Sequence, residues 1–324
     1  METASQCILA LLYDRAEGFV ALDELAAAAG AGRAAVDRAL EELRSGGQRL
    51  EFSPSSGVRL VRPVRLDASL IRRGLAVRRV GRSVVCFEQV ASTNDMALSA
   101  VRQSDADGLV VLAESQTAGR GRHGRRWVSR AGKNILLSAL LVEAGRPDEL
   151  PTEALTIAAG LAVAEAVEQS AGLQCELKWP NDVVLDGRKV AGVLVEARRA
   201  GRSAGVVVGA GVNVNAAPEA GSVDAPATSL AERLGHPVER IEVARALLLC
   251  LDGWVDRIAA GRLEGLRREF IARCRMINER ATIRCRGERH TGRVLDVDPL
   301  EGLVLCHDDG SRVRLAAEGS TVVG

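Results

Sequence analysis

Aromatic side chains make up only 2% of this 324-residue chain, and lysine is nearly absent: of 43 basic residues only Lys133, Lys178 and Lys189 are lysines. The three tryptophans, Trp127, Trp179 and Trp254, are therefore landmarks, and a lysine in a chain that otherwise writes arginine marks a place where a guanidinium does not fit. No apolar run reaches the roughly 18 residues of a membrane helix, so no membrane role is expected. The opening Met-Glu-Thr-Ala-Ser-Gln lacks the positive segment of a secretory signal. The seven cysteines, Cys7, Cys86, Cys175, Cys250, Cys274, Cys285 and Cys306, are odd in number, scattered and free of any C-x-x-C pair. That excludes a disulfide framework and a cysteine zinc site and predicts reduced thiols in a cytoplasmic protein. His123, His236, His290 and His307 are equally dispersed, so no cluster of metal-ligating side chains is expected. Neither sign of charge prevails: 43 basic and 42 acidic residues give a net +1. A globally basic nucleic-acid binder is not indicated, though a local patch is still allowed.

What is present is a globular composition, 47% hydrophobic, which excludes collagen-like, low-complexity and disordered chains. The length suits two or three domains. Residues 5–17, 22–29 and 33–44 carry helical periodicity, with Val36, Leu40 and Leu43 on one face of the third segment. Two short β runs, 49–52 and 58–61, follow. Three helices and a hairpin are the outline of a winged helix-turn-helix over residues 1–63. Residues 64–274 read as an α+β domain with a mostly antiparallel sheet. Its strands are expected at 84–87, 109–114, 135–142, 175–178, 190–198 and 204–214. Its helices are expected at 96–102, at 155–169 and through one long region, 241–274. Residues 275–324 show no helical period. Short β runs at 281–285, 290–296, 302–307 and 311–315, broken by Gly, Asp and Pro, predict a small five-stranded SH3-like barrel.

Four stretches carry chemistry. Gln116 to Trp127 reads Q-T-A-G-R-G-R-H-G-R-R-W. It contains G-x-G-x-x-G, but no helix opens after it and four arginines crowd it, so a dinucleotide-binding turn is rejected. Glycine for closeness and arginine for charge suit a mobile clamp on a phosphate. Trp127 at its end is read as a stacking surface for a purine, with a core plug as the alternative. Lys178-Trp179-Pro180-Asn181-Asp182 ends a strand in a turn that projects polar side chains, with one of the rare lysines aimed at an anion or, alternatively, solvated. Gly192 sits inside the strand of 187–196, where glycine marks close approach by a ligand or by backbone. Gly209 to Asn215, G-A-G-V-N-V-N, fits either the floor of a narrow pocket or a tight sheet contact.

Taken with Ser92-Thr93-Asn94, these stretches occur in an order and spacing that resembles the biotin protein ligases. The N-terminal segment makes the chain similar to the bifunctional form that also represses the biotin operon. The resemblance implies a class II synthetase-like biotin/lipoate ligase domain in the centre of the chain. It implies that biotin and MgATP give biotinyl-5′-adenylate and pyrophosphate, and that the biotinyl group then passes to one lysine of a biotin carrier domain, of acetyl-CoA carboxylase or another carboxylase. On that resemblance Ser92, Thr93, Asn94, Gln116 and Gly192 line the biotin pocket. Arg120, Gly121 and Arg122 close over biotin and the adenylate phosphate. Lys178 lies between the biotin carboxylate and the α-phosphate, and Arg120, Arg122 and Lys178 are the catalytic set. Trp127, Asn181, Asp182 and Asn213, with Arg122, bind the nucleotide, and Asp182 is the carboxylate for its Mg²⁺.

Lipoate ligases share this architecture, and a ligand-sensing repressor without catalysis is a third reading. The paired K-W-P-N-D and G-R-G-R-x-G stretches favour biotin, and intact Arg120, Arg122 and Lys178 favour catalysis. For the N-terminal segment, operator DNA is the expected partner, with Arg33 and Arg38 on the third helix and Arg59 on the hairpin. A homodimer would form when biotinyl-5′-adenylate is bound. Residues 1–60 hold 9 acidic and 6 basic residues, a handicap for phosphate contacts, so a protein-interaction module is the alternative there.

Overall fold

Three sheets follow one another along the chain in the computed structural model, which describes residues 2–103, 105–144, 152–200, 203–219, 221–223, 225–298, 300–317 and 319–323. Helices α1 (Ala4–Asp14), α2 (Leu22–Ala29) and α3 (Arg33–Ser45) precede the hairpin β1 (Leu50–Ser53) and β2 (Gly57–Leu60). Thr3 and Gln6 form a reciprocal capping box that starts α1. The helix ends before residue 17 because Ala16 takes a positive φ. Val36, Leu40 and Leu43 of α3 are buried with Ile8, Leu12, Leu25 and Val58.

The short helix α4 (Ala68–Arg72), capped by Asp67, was not foreseen. Beyond it come β3 (Ser83–Val90), α5 (Thr93–Ser99), β4 (Leu109–Gln116), β5 (Ile135–Ala144), α6 (Thr152–Ala171), β6 (Glu176–Lys178), β7 (Asp182–Leu185), β8 (Arg188–Ala200), β9 (Ser203–Val212), α7 (Leu230–Leu234), α8 (Arg240–Ala259) and α9 (Glu264–Arg273). The strands form one sheet in the order β3-β4-β5-β9-β8-β7-β6, antiparallel except for β3 beside β4. The expected single helical region 241–274 is two helices, separated by Gly261 with φ +70°.

Strand alternation gives this sheet two different faces. Val206, Val208, Ala210 and Val212 of β9, with Ile135, Leu137, Ala139 and Leu141 of β5, belong to the main core together with the apolar α6 and α8. The intervening positions of β9 are Gly205, Val207, Gly209 and Gly211, and they face the other way. Short α5 covers part of that second face, its Ala97 and Leu98 packing with Val111, Leu140 and Val207. The rest is open for a site. Burial pushes the thiols of Cys86, Cys175 and Cys250 up to about 12, so they stay protonated at neutral pH.

The last sheet comprises β10 (Arg280–Cys285), β11 (Glu288–Asp298), β12 (Gly302–Cys306), β13 (Arg312–Leu315) and β14 (Ser320–Val322), in the order β13-β12-β11-β10-β14. A bulge between Val294 and Asp296 bends β11. Ile283, Val294, Val297, Leu303 and Leu305 fill its interior.

A buried ion pair joins α8 to β4 of the large sheet and to the segment that follows the N-terminal hairpin. The Arg240 side chain, 3% exposed, donates to Glu114, 9% exposed, at 2.5 and 3.1 Å. Glu114 also accepts from the Leu66 amide, and Arg240 donates to the carbonyls of Val64 and Asn134. Nearby, Glu239 accepts from Arg62 and the Val64 amide, and Tyr13 donates to Glu242 at 2.7 Å. Removing one partner of a buried pair strands the other charge, which costs about 3–5 kcal/mol. Arg240→Met is therefore expected to lower unfolding free energy in urea by about that amount. Adding Glu114→Leu is expected to recover part of it. A single-mutant loss below about 1 kcal/mol would contradict a structural role for the pair.

Candidate functional site

The open face of the large sheet carries a cavity of about 1000 Å³, at the upper end for small-molecule sites and roomy enough for two substrates. Its lining includes every residue expected from the sequence to touch biotin or nucleotide: Ser92, Thr93, Asn94, Gln116, Arg120, Gly121, Arg122, Trp127, Lys178, Asn181, Asp182, Gly192 and Asn213. Arg33, Arg38 and Arg59 lie elsewhere, in the N-terminal helices and hairpin.

One end of the cavity is a buried polar turn. Ser92, Thr93 and Asn94 open α5 and are 4–5% exposed. The Thr93 amide and hydroxyl both donate to Gln116 Oε1, at 2.7 and 3.0 Å. Ser138 Oγ bonds Thr93 Oγ1 at 2.7 Å and Asn94 Oδ1 at 2.6 Å. Asn94 Nδ2 donates to Glu196 at 2.6 Å. Ser92 occupies the N-cap of α5 without using its hydroxyl as a cap, and it lines the cavity. Ser138 and Glu196 were not singled out in the sequence. Only the strand period, which puts them on the face of Gly209, could have found them.

The glycines make room for side chains of the chain itself. Gly192 and Gly211 are paired across β8 and β9, and a Cβ on either would press into the Trp127 indole. A Cβ on Gly209 would overlap the Asn94 amide. The close approach expected at Gly192 is thus made by Trp127 and the Lys189 side chain. Trp127 is half-buried, lines the cavity, and has no hydrogen-bond partner for Nε1 among the described residues. It is therefore both a wall of the cavity and a packing element.

The Gly/Arg loop is held at both ends. Arg120 donates to Asp95 at 2.5 and 2.9 Å and to Glu196 at 2.9 Å. The Arg120 guanidinium holds the Asp95 carboxyl below the usual carboxylate range. This tether is therefore intact above that range and is lost only as pH falls through the depressed value. Farther along, Arg122 donates to the Ala317 carbonyl at 2.7 Å and touches Asn181 at 3.4 Å, and His123 approaches the Ser320 carbonyl at 3.4 Å. Burial pulls the Arg122 guanidinium below its ordinary value, yet arginine stays cationic at neutral pH. The contribution of the last sheet to this cavity was not foreseen, because nothing local in residues 275–324 signals it.

Lys178 ends β6 and is half-buried, and its side chain has no hydrogen bond or ion pair among the described residues. Asn181 is fixed by Nδ2 donating to the Val193 carbonyl at 2.8 Å. Asp182 pairs with Lys189 at 2.6 Å. No cluster of three metal-ligating side chains occurs among the described residues. Asp182, a single carboxylate lining the cavity, still suits Mg²⁺ carried by a nucleotide, whose other ligands are phosphate oxygens and water. Asn213 is 2% exposed and its Oδ1 has no partner among the described residues.

Residues 86–213 match the biotin/lipoate A/B protein ligase family. The chain is 34% identical over 261 residues to the bifunctional ligase/repressor BirA of Bacillus subtilis, covering 77% of this chain and 78% of that one. It is 35% identical over 271 residues to the biotin–[acetyl-CoA-carboxylase] ligase of Mycobacterium tuberculosis, covering 80% and 97%. The biotin protein ligase of Aquifex aeolicus in complex with biotin and ATP superposes with a TM-score of 0.63 at 25% identity, covering 74% of this chain and 98% of that one.

Gly211→Ala tests the packing of the indole directly. The added methyl is expected to displace Trp127 and shift tryptophan emission to the red, since Trp179 and Trp254 stay 1–2% exposed. An unchanged spectrum would contradict the contact.

Proposed function

The chain belongs to the biotin protein ligases, and from that premise we propose that it joins biotin to ATP in this cavity and passes the biotinyl group to a carrier-domain lysine. The observation that carries the reading is Lys178, a half-buried ammonium without a partner among the described residues, in a cavity with room for two substrates. In the first step an oxygen of the biotin carboxylate attacks the α-phosphorus of MgATP. The P–O bond to pyrophosphate breaks and a mixed anhydride, biotinyl-5′-adenylate, forms. Two anions must meet: at 4 Å and an effective dielectric of 20 each pair of unit charges repels by about 4 kcal/mol. Lys178 offsets that repulsion where it arises, and a compact ammonium fits between two anions better than a planar guanidinium.

Ser92, Thr93, Asn94 and Gln116 take the ureido head of biotin, whose N–H and C=O groups need short polar partners. Gly192 lets the pocket wall lie close. Arg120, tied to Asp95 and Glu196, and Gly121 anchor the lid, while Arg122 reaches the adenylate phosphate. Trp127, Asn181, Asn213 and Asp182 serve the nucleotide and its magnesium. In the second step the carrier amine attacks the acyl carbon and AMP leaves, which asks mainly for positioning.

The same reading divides the chain into a winged helix-turn-helix (1–63), a catalytic domain (64–274) and an SH3-like domain (275–324), in a cytoplasmic enzyme. Among the described residues no helix is long and apolar enough to cross a membrane. The carrier is the biotin domain of acetyl-CoA carboxylase or a related carboxylase. The N-terminal unit binds operator DNA as a homodimer assembled on the adenylate. Arg38 has no partner among the described residues, whereas Arg33 pairs with Asp37 and Arg59 with Glu51. Such exposed pairs are worth about 0–1 kcal/mol and yield to phosphate.

Biotin-dependent exchange of pyrophosphate into ATP tests the first step. Exchange that responds to lipoate and not to biotin, or none at all, would overturn the reading. Lys178→Ala is expected to slow it by roughly two to three orders of magnitude or more, with Lys178→Arg also poor. A change within a few-fold would remove Lys178 from the catalytic set. Arg122→Gly is expected to speed escape of biotinyl-5′-adenylate more than it slows synthesis, measured as the dissociation rate of the labelled adenylate. An unchanged rate would rule out its grip on the phosphate. Fluorescence anisotropy with the promoter of biotin-synthesis genes tests the N-terminal unit. Binding is expected to tighten with biotin and ATP, and its absence at low salt under both conditions would leave a ligase alone.

A further inference from the structure

Glu196 of β8 touches two parts of the site at once. Its Oε2 accepts from Asn94 Nδ2 at 2.6 Å and from Arg120 at 2.9 Å. Asn94 belongs to the buried polar turn and Arg120 to the Gly/Arg loop, and both line the cavity. Glu196, with its side chain 30% exposed, stands behind them and is not among the lining residues. It can therefore act on a ligand only through its neighbours.

A carboxylate oxygen accepts and never donates, so Glu196 decides which way the Asn94 amide faces. Nδ2 is turned to Glu196, and Oδ1 is turned to Ser138 Oγ at 2.6 Å. Asn94 also lies flat on Gly209, where a Cβ would come within 2.3 Å of its Oδ1. At the other end of the turn the Thr93 amide, which can only donate, draws Gln116 Oε1 to itself at 2.7 Å. Between these fixed ends run three contacts between oxygens. Gln116 meets Thr93 at 3.0 Å, Thr93 meets Ser138 at 2.7 Å, and Ser138 meets Asn94 at 2.6 Å. The hydroxyls of Thr93 and Ser138 bring one proton each, so three contacts share two protons. Among the described residues the network is one donor short. Turning the Asn94 amide over would bring Nδ2 to Ser138 and make up the deficit. Glu196 forbids that, because Oδ1 would then face a carboxylate.

We propose that Glu196 is a positioning residue that tunes the polar turn for a ligand rich in N–H donors: by fixing the Asn94 amide it keeps the turn one donor short, and the ureido N–H groups of biotin make up the difference. This rests on the reading that biotin fills the turn. A buried acceptor left without a donor is costly, so a site built this way rejects an analogue that lacks the N–H groups. Lipoate, whose ring is a dithiolane, has none. Because the same Glu196 oxygen holds Arg120, the carboxylate that sets recognition of the head group also anchors the loop that covers it.

The test uses the full chain and biotin-dependent exchange of pyrophosphate into ATP. Glu196→Gln keeps the shape of the side chain, and its carboxamide can donate to Asn94 Oδ1, which frees the Asn94 amide to turn. It is expected to raise the KM for biotin by roughly ten- to a hundredfold while the KM for ATP stays within about twofold. The preference for biotin over biotin methylated at its ureido nitrogens, read as the ratio of kcat/KM, is expected to fall by at least about fivefold. The bulk of the methyl groups is the same for both enzymes, so the change in the ratio reads the hydrogen bonds. In an Asn94→Ala background, Glu196→Gln is expected to change the KM for biotin by less than about twofold, since residues that act through one another are not additive. If the wild type forms no biotinyl-5′-adenylate, the adenylation reading fails and the positioning role with it. If the wild type does form it, and Glu196→Gln keeps the KM for biotin and the preference against the methylated analogue, the positioning role alone is overturned. An equal loss with and without Asn94 would also overturn it, because Glu196 would then act through Arg120. Should Glu196→Gln melt early, Glu196→Asp, which keeps the charge and loses the reach, takes its place with the same outcomes deciding.

Discussion

Two anions that repel one another must be brought within bonding distance, and the site is organised around that constraint. Bulk water would screen the repulsion but would also hydrolyse an activated acyl group. A half-closed cavity excludes water at the expense of stronger electrostatics. The chain answers with cations committed to different tasks. Arg120 is spent on Asp95 and Glu196, and Lys189 on Asp182. Arg122 is held by the Ala317 carbonyl. Lys178, at a strand end, keeps its charge without a partner among the described residues. A cation already neutralised by a neighbouring carboxylate offsets little of a ligand's charge, and for that reason the proposed chemistry is assigned to the Lys178 ammonium.

The two-faced sheet makes that arrangement affordable. Valines on alternate positions of β9 bind the sheet to α6 and α8 and supply stability. The glycines between them remove side chains from the other face, where Trp127 and Asn94 then settle. The face that carries function therefore contributes little to the core, and the face that carries the core is kept clear of function. The buried Arg240–Glu114 pair extends the same structure toward the N-terminus: its partners include the segment at Val64 and Leu66 and the carbonyl of Asn134. Asn134 in turn accepts from the amides of Val214, Asn215 and Ala216 at 3.0–3.3 Å. The segment after the N-terminal hairpin and the strand end beside the cavity thus share one buried polar network.

Much of this was legible in the sequence, and the reasons are specific. The alternation of Val with Gly in β9 and the 3.6-residue period of α3 reflect burial, which acts locally. The rarity of lysine singled out Lys178 because its alternative, arginine, is abundant in the same chain. Other features were hidden because their cause is tertiary. Trp127, read as a purine stack or a core plug, packs on Gly192 and Gly211 and also lines the cavity. Ser138 and Glu196 look like ordinary strand positions until the register of β5, β8 and β9 aligns them with Asn94. The break at Gly261 was missed because apolar residues continue across it.

The most direct test of the account is a crystal structure of the protein with biotinyl-5′-adenylate bound. The account expects the Lys178 ammonium within hydrogen-bonding distance of both the acyl oxygen and the α-phosphate, with the ureido ring among Ser92, Thr93, Asn94 and Gln116. An adenylate bound with its phosphate away from Lys178, or with its ureido ring outside that turn, would contradict it.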